Sequence, residues 1–336
     1  MRKYSDKEIL EFVDEFMNGS DNPDLAGYRE QTRQRDFADR SRYLWTMKQV
    51  AELGEYRGKR ILDVGCGGGW QAFTMSLFDA SNEVVGLDIL PAIVQGMGDC
   101  VEHMRKMGVS FQLTAIQGDI CKLDLPESSF DGIYSMEAIE HVHDMKKMLE
   151  NCFRLLKPSG TIILLNDCNM LHPGTRDYVT KMWNDREHSW KWAEYLRSIR
   201  PIEHKDAKPF AVVREEIVKA ANPELKAEDV EAIVKATAGL LKPEIERIAV
   251  GYQAGIPLPV RPTYDWCRDP ITGEYAERLF DPYALADMMR EAGFKTTVRH
   301  VFRRKPLDLF NSGQFRPLNN LLFKLKQEFI VFGRKD

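Results

Sequence analysis

The sequence lacks a long apolar run, paired cysteines and an excess of positive charge. No uninterrupted hydrophobic stretch is long enough to span a bilayer, so no transmembrane helix is expected. Met1-Arg2-Lys3-Tyr4-Ser5-Asp6-Lys7 turns acidic where a secretory signal would carry its apolar segment. The six cysteines form no C-x-x-C pair, which argues against a zinc framework or a disulfide scaffold. Scattered thiols suit a reducing cytoplasm, and a cytoplasmic protein is expected. A net charge of −4 gives no electrostatic pull toward nucleic acid, and no nucleic-acid partner is expected. With 43% hydrophobic and 29% charged residues, the 336 residues have the composition of a globular protein. That length holds one large domain with insertions, or two smaller ones.

The most informative stretch is Ile61-Leu62-Asp63-Val64-Gly65-Cys66-Gly67-Gly68-Gly69-Trp70. A short apolar run reads as a buried parallel strand, the glycines as a tight turn, and Gln71 to Leu77 as the start of a helix. Strand, glycine turn and helix make the first unit of a doubly wound sheet. Glycines admit positive φ and close approach of a ligand, and the helix N-terminus offers free N–H groups. The turn is not a dinucleotide fingerprint, because Trp70 stands where G-x-G-x-x-G needs its third glycine. The lysine of a phosphate-binding P-loop is absent too. Glu83 to Asp88 reads as a second buried strand ending in an acid about twenty residues past the glycines, where a carboxylate can take both ribose hydroxyls. Pro91 allows Asp88 a helix-capping role as well. Further strands are expected at Phe111–Ile116, from Phe130, and at Thr161–Leu165 after the sharp stop Lys157-Pro158-Ser159-Gly160. A helix is expected between them, from Val142 to Leu156.

Upstream, Ser5 can cap a helix carrying Ile9, Phe12, Val13 and Phe16, and Asn18 to Pro23 breaks it. A second helix is expected from about Gln31 to Leu53. The region's Tyr28, Arg33, Tyr43 and Trp45 are either a lid over the site or packing against the sheet. Between Asn166 and Leu279 lies an insertion of domain scale with helices near 211–221, 226–241 and 243–254. Its Trp183, Trp190, Trp192 and Tyr195 suit a substrate wall and the core of a lid equally. The basic stretch from Arg303 to Lys326 reads first as an extension of the last β-hairpin, and second as a surface for an acidic substrate or a membrane.

Asp63-x-Gly65-x-Gly67-x-Gly69 resembles the first motif of class I S-adenosylmethionine-dependent methyltransferases. Asp88, Gly118-Asp119-Ile120, Phe130-Asp131-Gly132-Ile133-Tyr134-Ser135 and Arg154-Leu155-Leu156-Lys157-Pro158-x-Gly160 resemble later landmarks of that family, in order. The resemblance implies an α/β fold: a doubly wound, Rossmann-like, seven-stranded sheet, mostly parallel, with strand seven antiparallel at the edge. It divides the chain into an N-terminal helical segment (1–58), a cofactor-binding core (59–168), a helical cap (169–278) and a return to the sheet (279–336). It implies S-adenosylmethionine as cofactor. The residues that would bind it are Asp63, Gly65, Cys66, Gly67, Gly69, Asp88, Ile89, Asp119, Ile120, Met136 and Glu137, with Asp119 on the adenine amino group and Ile120 against the ring.

Glu137, Glu140 and His141 stand at i, i+3 and i+4 and share a face if the chain turns helically there. Two carboxylates and an imidazole can bind a divalent cation. The E-x-x-E-H spacing resembles metal-dependent O-methyltransferases of ubiquinone synthesis and small-RNA 2′-O-methyltransferases, which implies Mg2+, with His172 or Asp167 as a further ligand. Without a metal, His141 first and His172 second are the candidate bases, and His143 would point away on a helix. The expectation is O-methylation of a small molecule. N- or C-methylation on the same fold, or a nicotinamide oxidoreductase on a related sheet, are the alternatives.

Overall fold

The computed structural model describes residues 4–35, 37–301 and 316–336. The first elements are helices α1 (Asp6–Met17), α2 (Pro23–Arg35) and α3 (Arg40–Leu53). The Ser5 side chain accepts from the Glu8 amide while Glu8 accepts from the Ser5 amide, so the start of α1 is fixed locally. One long second helix was expected; there are two, with Asp39 capping the later one through the Arg42 amide (2.9 Å).

The sheet and its first connections are β1 (Arg60–Val64), α4 (Trp70–Phe78), β2 (Glu83–Asp88), α5 (Pro91–Lys106), β3 (Gln112–Gln117), β4 (Phe130–Met136), α6 (Met145–Leu155) and β5 (Leu156–Asn166). The insertion contributes α7 (Pro173–His188), α8 (Trp190–Ile199), α9 (Phe210–Ala221), α10 (Ala227–Ala236) and α11 (Lys242–Gly251). The chain returns through α12 (Pro282–Glu291), β6 (Lys295–His300), α13 (Arg316–Leu325) and β7 (Phe329–Arg334).

The order is β3-β2-β1-β4-β5-β7-β6, with the first five strands parallel and β7 antiparallel to both its neighbours. The antiparallel strand is therefore internal, and β6 forms the edge. Lys157 to Gly160 does not stop the chain before a separate strand: β5 runs through it, with a register shift opposite Phe130/Gly132. Of the basic stretch, residues 303–315 lie outside the described residues, as does Phe302. Its later part is the helix α13 rather than a longer hairpin.

Strand periodicity separates two cores. Ile61, Ile163 and Leu165 pack on one face with Val13, Phe16, Met47 and Phe73. Leu62, Val64, Ile162 and Leu164 pack on the other with Met148, Leu149, Leu285 and Met289. The insertion has its own clusters. Val179, Trp183, Phe210 and Trp266 form one, and Ile217, Val218, Ile233, Ile245 and Ile248 another. The strand order reverses beside β1, which opens a crevice at the carboxyl ends of β1, β2 and β4. No helix of the described residues is long and apolar enough to cross a membrane.

Candidate active site

That crevice is a cavity of about 510 Å3. Its sheet wall comes from strand ends and the turns after them: Gly65, Asp88, Ile89, Asp119, Ile120 and Glu137. The glycine turn is built to pass close. Gly65 has φ +74°, and a Cβ there would stand 2.4 Å from the Ala138 Cβ. Gly69, at φ +81°, starts α4 and sends the Trp70 side chain into the core, 2% exposed. Trp70 is thus packing beneath the turn, where its backbone carbonyl accepts from the Tyr43 hydroxyl (3.0 Å).

Asp88 both faces the cavity and ties the turn together. Its Oδ2 accepts from the Gly67 amide (2.9 Å) and its Oδ1 from the Leu90 amide (3.0 Å). Each oxygen keeps a lone pair for a ligand hydroxyl. Burial raises its pKa, and the backbone donors oppose that rise. Asp119 accepts from the Cys121 amide (2.9 Å) and lies 2.9 Å from His143 Nε2. Burial works against its charge, yet His143, the Cys121 amide and Lys122 hold its pKa below the usual range.

Several residues expected at the cofactor do not line the cavity. Asp63 is 2% exposed behind the turn, where it accepts from the Tyr134 hydroxyl (3.0 Å) and burial lifts its pKa to about 8. Cys66 points into the core toward Met97 Sδ (3.6 Å), and its amide bonds to Leu87 O (3.0 Å). Gly67, Gly69 and Met136 shape the turn and the strand end without forming the wall.

The segment after β4 is not the helix assumed for Glu137, Glu140 and His141. It makes one 3-10 turn, Ile139–His141, and Val142 is extended. Glu137, at φ +51°, accepts from the Asp167 amide (3.1 Å). Glu140 turns inward, 4% exposed, and accepts from Asn166 Nδ2 (2.6 Å). Glu140 and His141 do meet, at 3.9 Å, but Glu137 is not gathered with them. Among the described residues, the ligand atoms of Glu140 cluster instead with Cys168 and Glu277, within 4.8 Å, where Cys168 Sγ donates to Glu277 Oε2 (3.3 Å). The trio drawn from E-x-x-E-H spacing does not fit a shared Mg2+. The expected further ligands are occupied as well. Asp167 Oδ2 accepts from Gln327 Nε2 (3.0 Å). His172 caps α7 by accepting from the Thr175 amide (3.1 Å) and does not reach the cavity wall.

His141 lines the cavity, and its Nδ1 lies 3.0 Å from the Tyr275 carbonyl. A carbonyl there requires the proton on Nδ1, which leaves Nε2 as the basic nitrogen. Burial favours the neutral ring, but Glu277 and Glu140 outweigh it and the pKa is raised. Burial, opposed by His141, brings Glu140 up to about 7. His143, expected to point away, also lines the cavity. The reason is local: α6 starts only at Met145, capped by Asp144, so Val142 and Asp144 are extended with a bend at His143 between them, and the helical facing assumed for His143 does not arise.

The far wall was not legible in the sequence. It comes from the insertion (Arg186, Arg200, His204, Phe210, Glu274) and, from α2, Tyr28. Arg200 stacks on the Tyr28 ring at 4.3 Å. The Asp24 carboxylate accepts from the amides of Ile202 (2.8 Å) and Glu203 (2.9 Å), and Gln31 Nε2 donates to the Tyr195 hydroxyl (3.1 Å). Tyr28 is therefore at the site, whereas Tyr43 is core packing. Trp183 belongs to the insertion's core; Trp190 and Tyr195 are exposed.

Residues 62–164 match the family model described as a methyltransferase domain. The chain is 33% identical over 109 residues to a sterol 24-C-methyltransferase of Aspergillus fumigatus, covering 32% of this chain and 28% of that one. It is 29% identical over 161 residues to a ubiquinone biosynthesis O-methyltransferase of Pseudomonas putida, covering 46% of this chain and 64% of that one. It is also 29% identical over 161 residues to phosphoethanolamine N-methyltransferase 3 of Arabidopsis thaliana, covering 46% and 31%. The chain thus spans 28% to 64% of the length of these relatives. The match makes residues 62–164 a methyltransferase domain, and the sheet has the strand order expected from the resemblance to class I S-adenosylmethionine-dependent methyltransferases. The insertion lies beyond the matched residues.

Proposed function

We propose that the chain is an S-adenosylmethionine-dependent methyltransferase that transfers a methyl to a hydroxyl oxygen of a small molecule. The observation that carries this reading is His141, a base whose Nδ1 is anchored on the Tyr275 carbonyl while its Nε2 lies 3.9 Å from Glu140 Oε1, beyond hydrogen-bond distance, on the lining of the cavity. The three relatives name three acceptor atoms, so they do not choose among them. A hydroxyl is chosen because it must lose a proton, and His141 Nε2 can take it. When bound, the cofactor supplies a methyl activated on a sulfonium.

In this reading Asp88 holds the ribose hydroxyls, Asp119 the adenine amino group, Ile89 and Ile120 the ring, and Glu137 the cationic end of the methionine part; all five line the cavity, which supports it. The insertion and α2 keep water away from the acceptor and hold it in line. The free, buried state of all six cysteines is in keeping with a cytoplasmic setting.

His141→Ala should lower kcat by about 10²–10⁴-fold, the usual range for a lost general base. The base must be neutral to act, and the structure raises its pKa above 6.5. The acid limb of kcat/KM should therefore fall at a pH above 6.5 in the wild type and be absent in the variant. Activity should survive EDTA. Loss in EDTA with recovery in magnesium would move proton removal to a metal, and full activity of H141A would leave alignment alone as the mechanism.

S-adenosylhomocysteine should slow exchange of the Ile202 and Glu203 amides, which bind Asp24 where the insertion meets α2. Hydrogen exchange with equal protection, free and bound, would show that the insertion does not act as a cap.

A further inference from the structure

We propose that the acceptor carries an oxyanion, a carboxylate or a phosphate, and that Arg186 receives it. The proposal rests on reading this cavity as the acceptor site of a methyltransferase. The cations on the insertion wall differ in one respect. Arg200 is paired with Glu203 (3.3 Å), and Lys208 with Glu216 (2.7 Å). His204 lies 3.5 Å from Glu203. Arg186, on the same wall, has no carboxylate within 4.0 Å and no hydrogen-bond acceptor among the described residues. Its guanidinium carbon lies 5.3 Å from the centroid of the Phe210 ring, which aligns the fork without satisfying its donors.

An arginine drawn out of water with unfilled donors is costly, and an oxyanion relieves that cost. Burial disfavours the charge of Arg186, and Arg200 adds to the penalty; Cys267, Asp269 and Glu203 oppose it from a distance. The same surroundings hold His204 neutral, with its pKa lowered to about 3 by burial, Arg186 and Arg200. Acids also line this wall, but Glu203 pairs with Arg200, Glu216 with Lys208, and Asp269 accepts from the Ile271 and Thr272 amides, so none of these three is bonded to Arg186. The opposite wall carries Asp88, Asp119 and Glu137, which would repel an anion. An acid group held by Arg186 leaves the rest of the acceptor in the same cavity that His141 lines. The planar fork of arginine matches both carboxylate and phosphate.

The test titrates inorganic phosphate and acetate, separately, into the full chain saturated with S-adenosylhomocysteine, for the wild type, Arg186→Gln and Arg186→Lys. At least one anion should bind the wild type, and roughly tenfold more weakly to R186Q, with R186K between them. The tighter anion identifies the acceptor's acid group. The affinity for S-adenosylhomocysteine should stay within about twofold in both variants, since the charged bond lost is not the cofactor's. Equal anion binding by wild type and both variants, or none by the wild type, overturns the proposal. A cofactor affinity that falls with the arginine also overturns it, because Arg186 then serves the methionine carboxylate. If S-adenosylhomocysteine fails to bind the wild type, the methyltransferase reading fails; the anion titration on the protein alone still decides whether Arg186 is an oxyanion site.

Discussion

Arg214→Ala should destabilise the protein by about 3–5 kcal/mol, the cost of leaving a buried charge without its partner. Arg214 and Glu187 are 1% and 4% exposed. The guanidinium meets the carboxylate through two nitrogens: Nη1 donates to Oε2 at 3.2 Å, and Nη2 donates to Oε1. Its Nε also donates to the Val234 carbonyl (3.1 Å), so one side chain joins α9 to α7 and α10. The variant strands Glu187 inside the insertion and removes one of the donors to the Val234 carbonyl, which keeps the Thr237 hydroxyl (3.4 Å). Arg214→Met with Glu187→Leu removes both charges and should regain much of the loss, because apolar side chains of similar volume often replace a buried pair without penalty. Denaturant unfolding of the single and double variants reads both effects. A single variant within about 1 kcal/mol of wild type would mean that the pair does not hold the insertion together.

The second large effect is on the cofactor. Asp88→Ala should weaken S-adenosylhomocysteine binding by about 1–3 kcal/mol, which is roughly fivefold to 150-fold. The carboxylate does two things at once: it offers lone pairs to the cavity and it accepts the Gly67 and Leu90 amides that fix the turn. Asp88→Asn keeps one acceptor oxygen and should lose less. Calorimetry on both variants separates ligand contact from turn geometry. Unchanged affinity in a folded D88A protein would take Asp88 out of the site.

What the sequence determined by itself is what depends on neighbours along the chain. Positive φ at Gly65 and Gly69 makes the first βα turn wherever the chain goes next, and alternating apolar residues assign β1 and β5 to two faces. Ser5 with Glu8 starts α1, and Asp281 starts α12 by accepting from the Tyr283 amide (2.8 Å). Asp88 could be read because a strand end and the glycine turn are joined by one parallel pair, β1 with β2. Residue spacing could not show the facing of the segment after β4. One 3-10 turn of three residues, in place of a helix, sends Glu140 inward, leaves Glu137 on the Asp167 amide and brings His143 to the cavity. His172 looked like a second base and is a helix cap, since the first free amides of α7 compete for its ring nitrogen. Tyr28, Arg186, Arg200 and Tyr275 carry no signal of their shared site, because each belongs to a different element and only the docking of the insertion on α2 and the sheet brings them together. Local backbone preference is written in short stretches of residues; which side chains face one another across a cavity is set by packing between elements far apart in the chain, and that is decided only when the whole molecule closes.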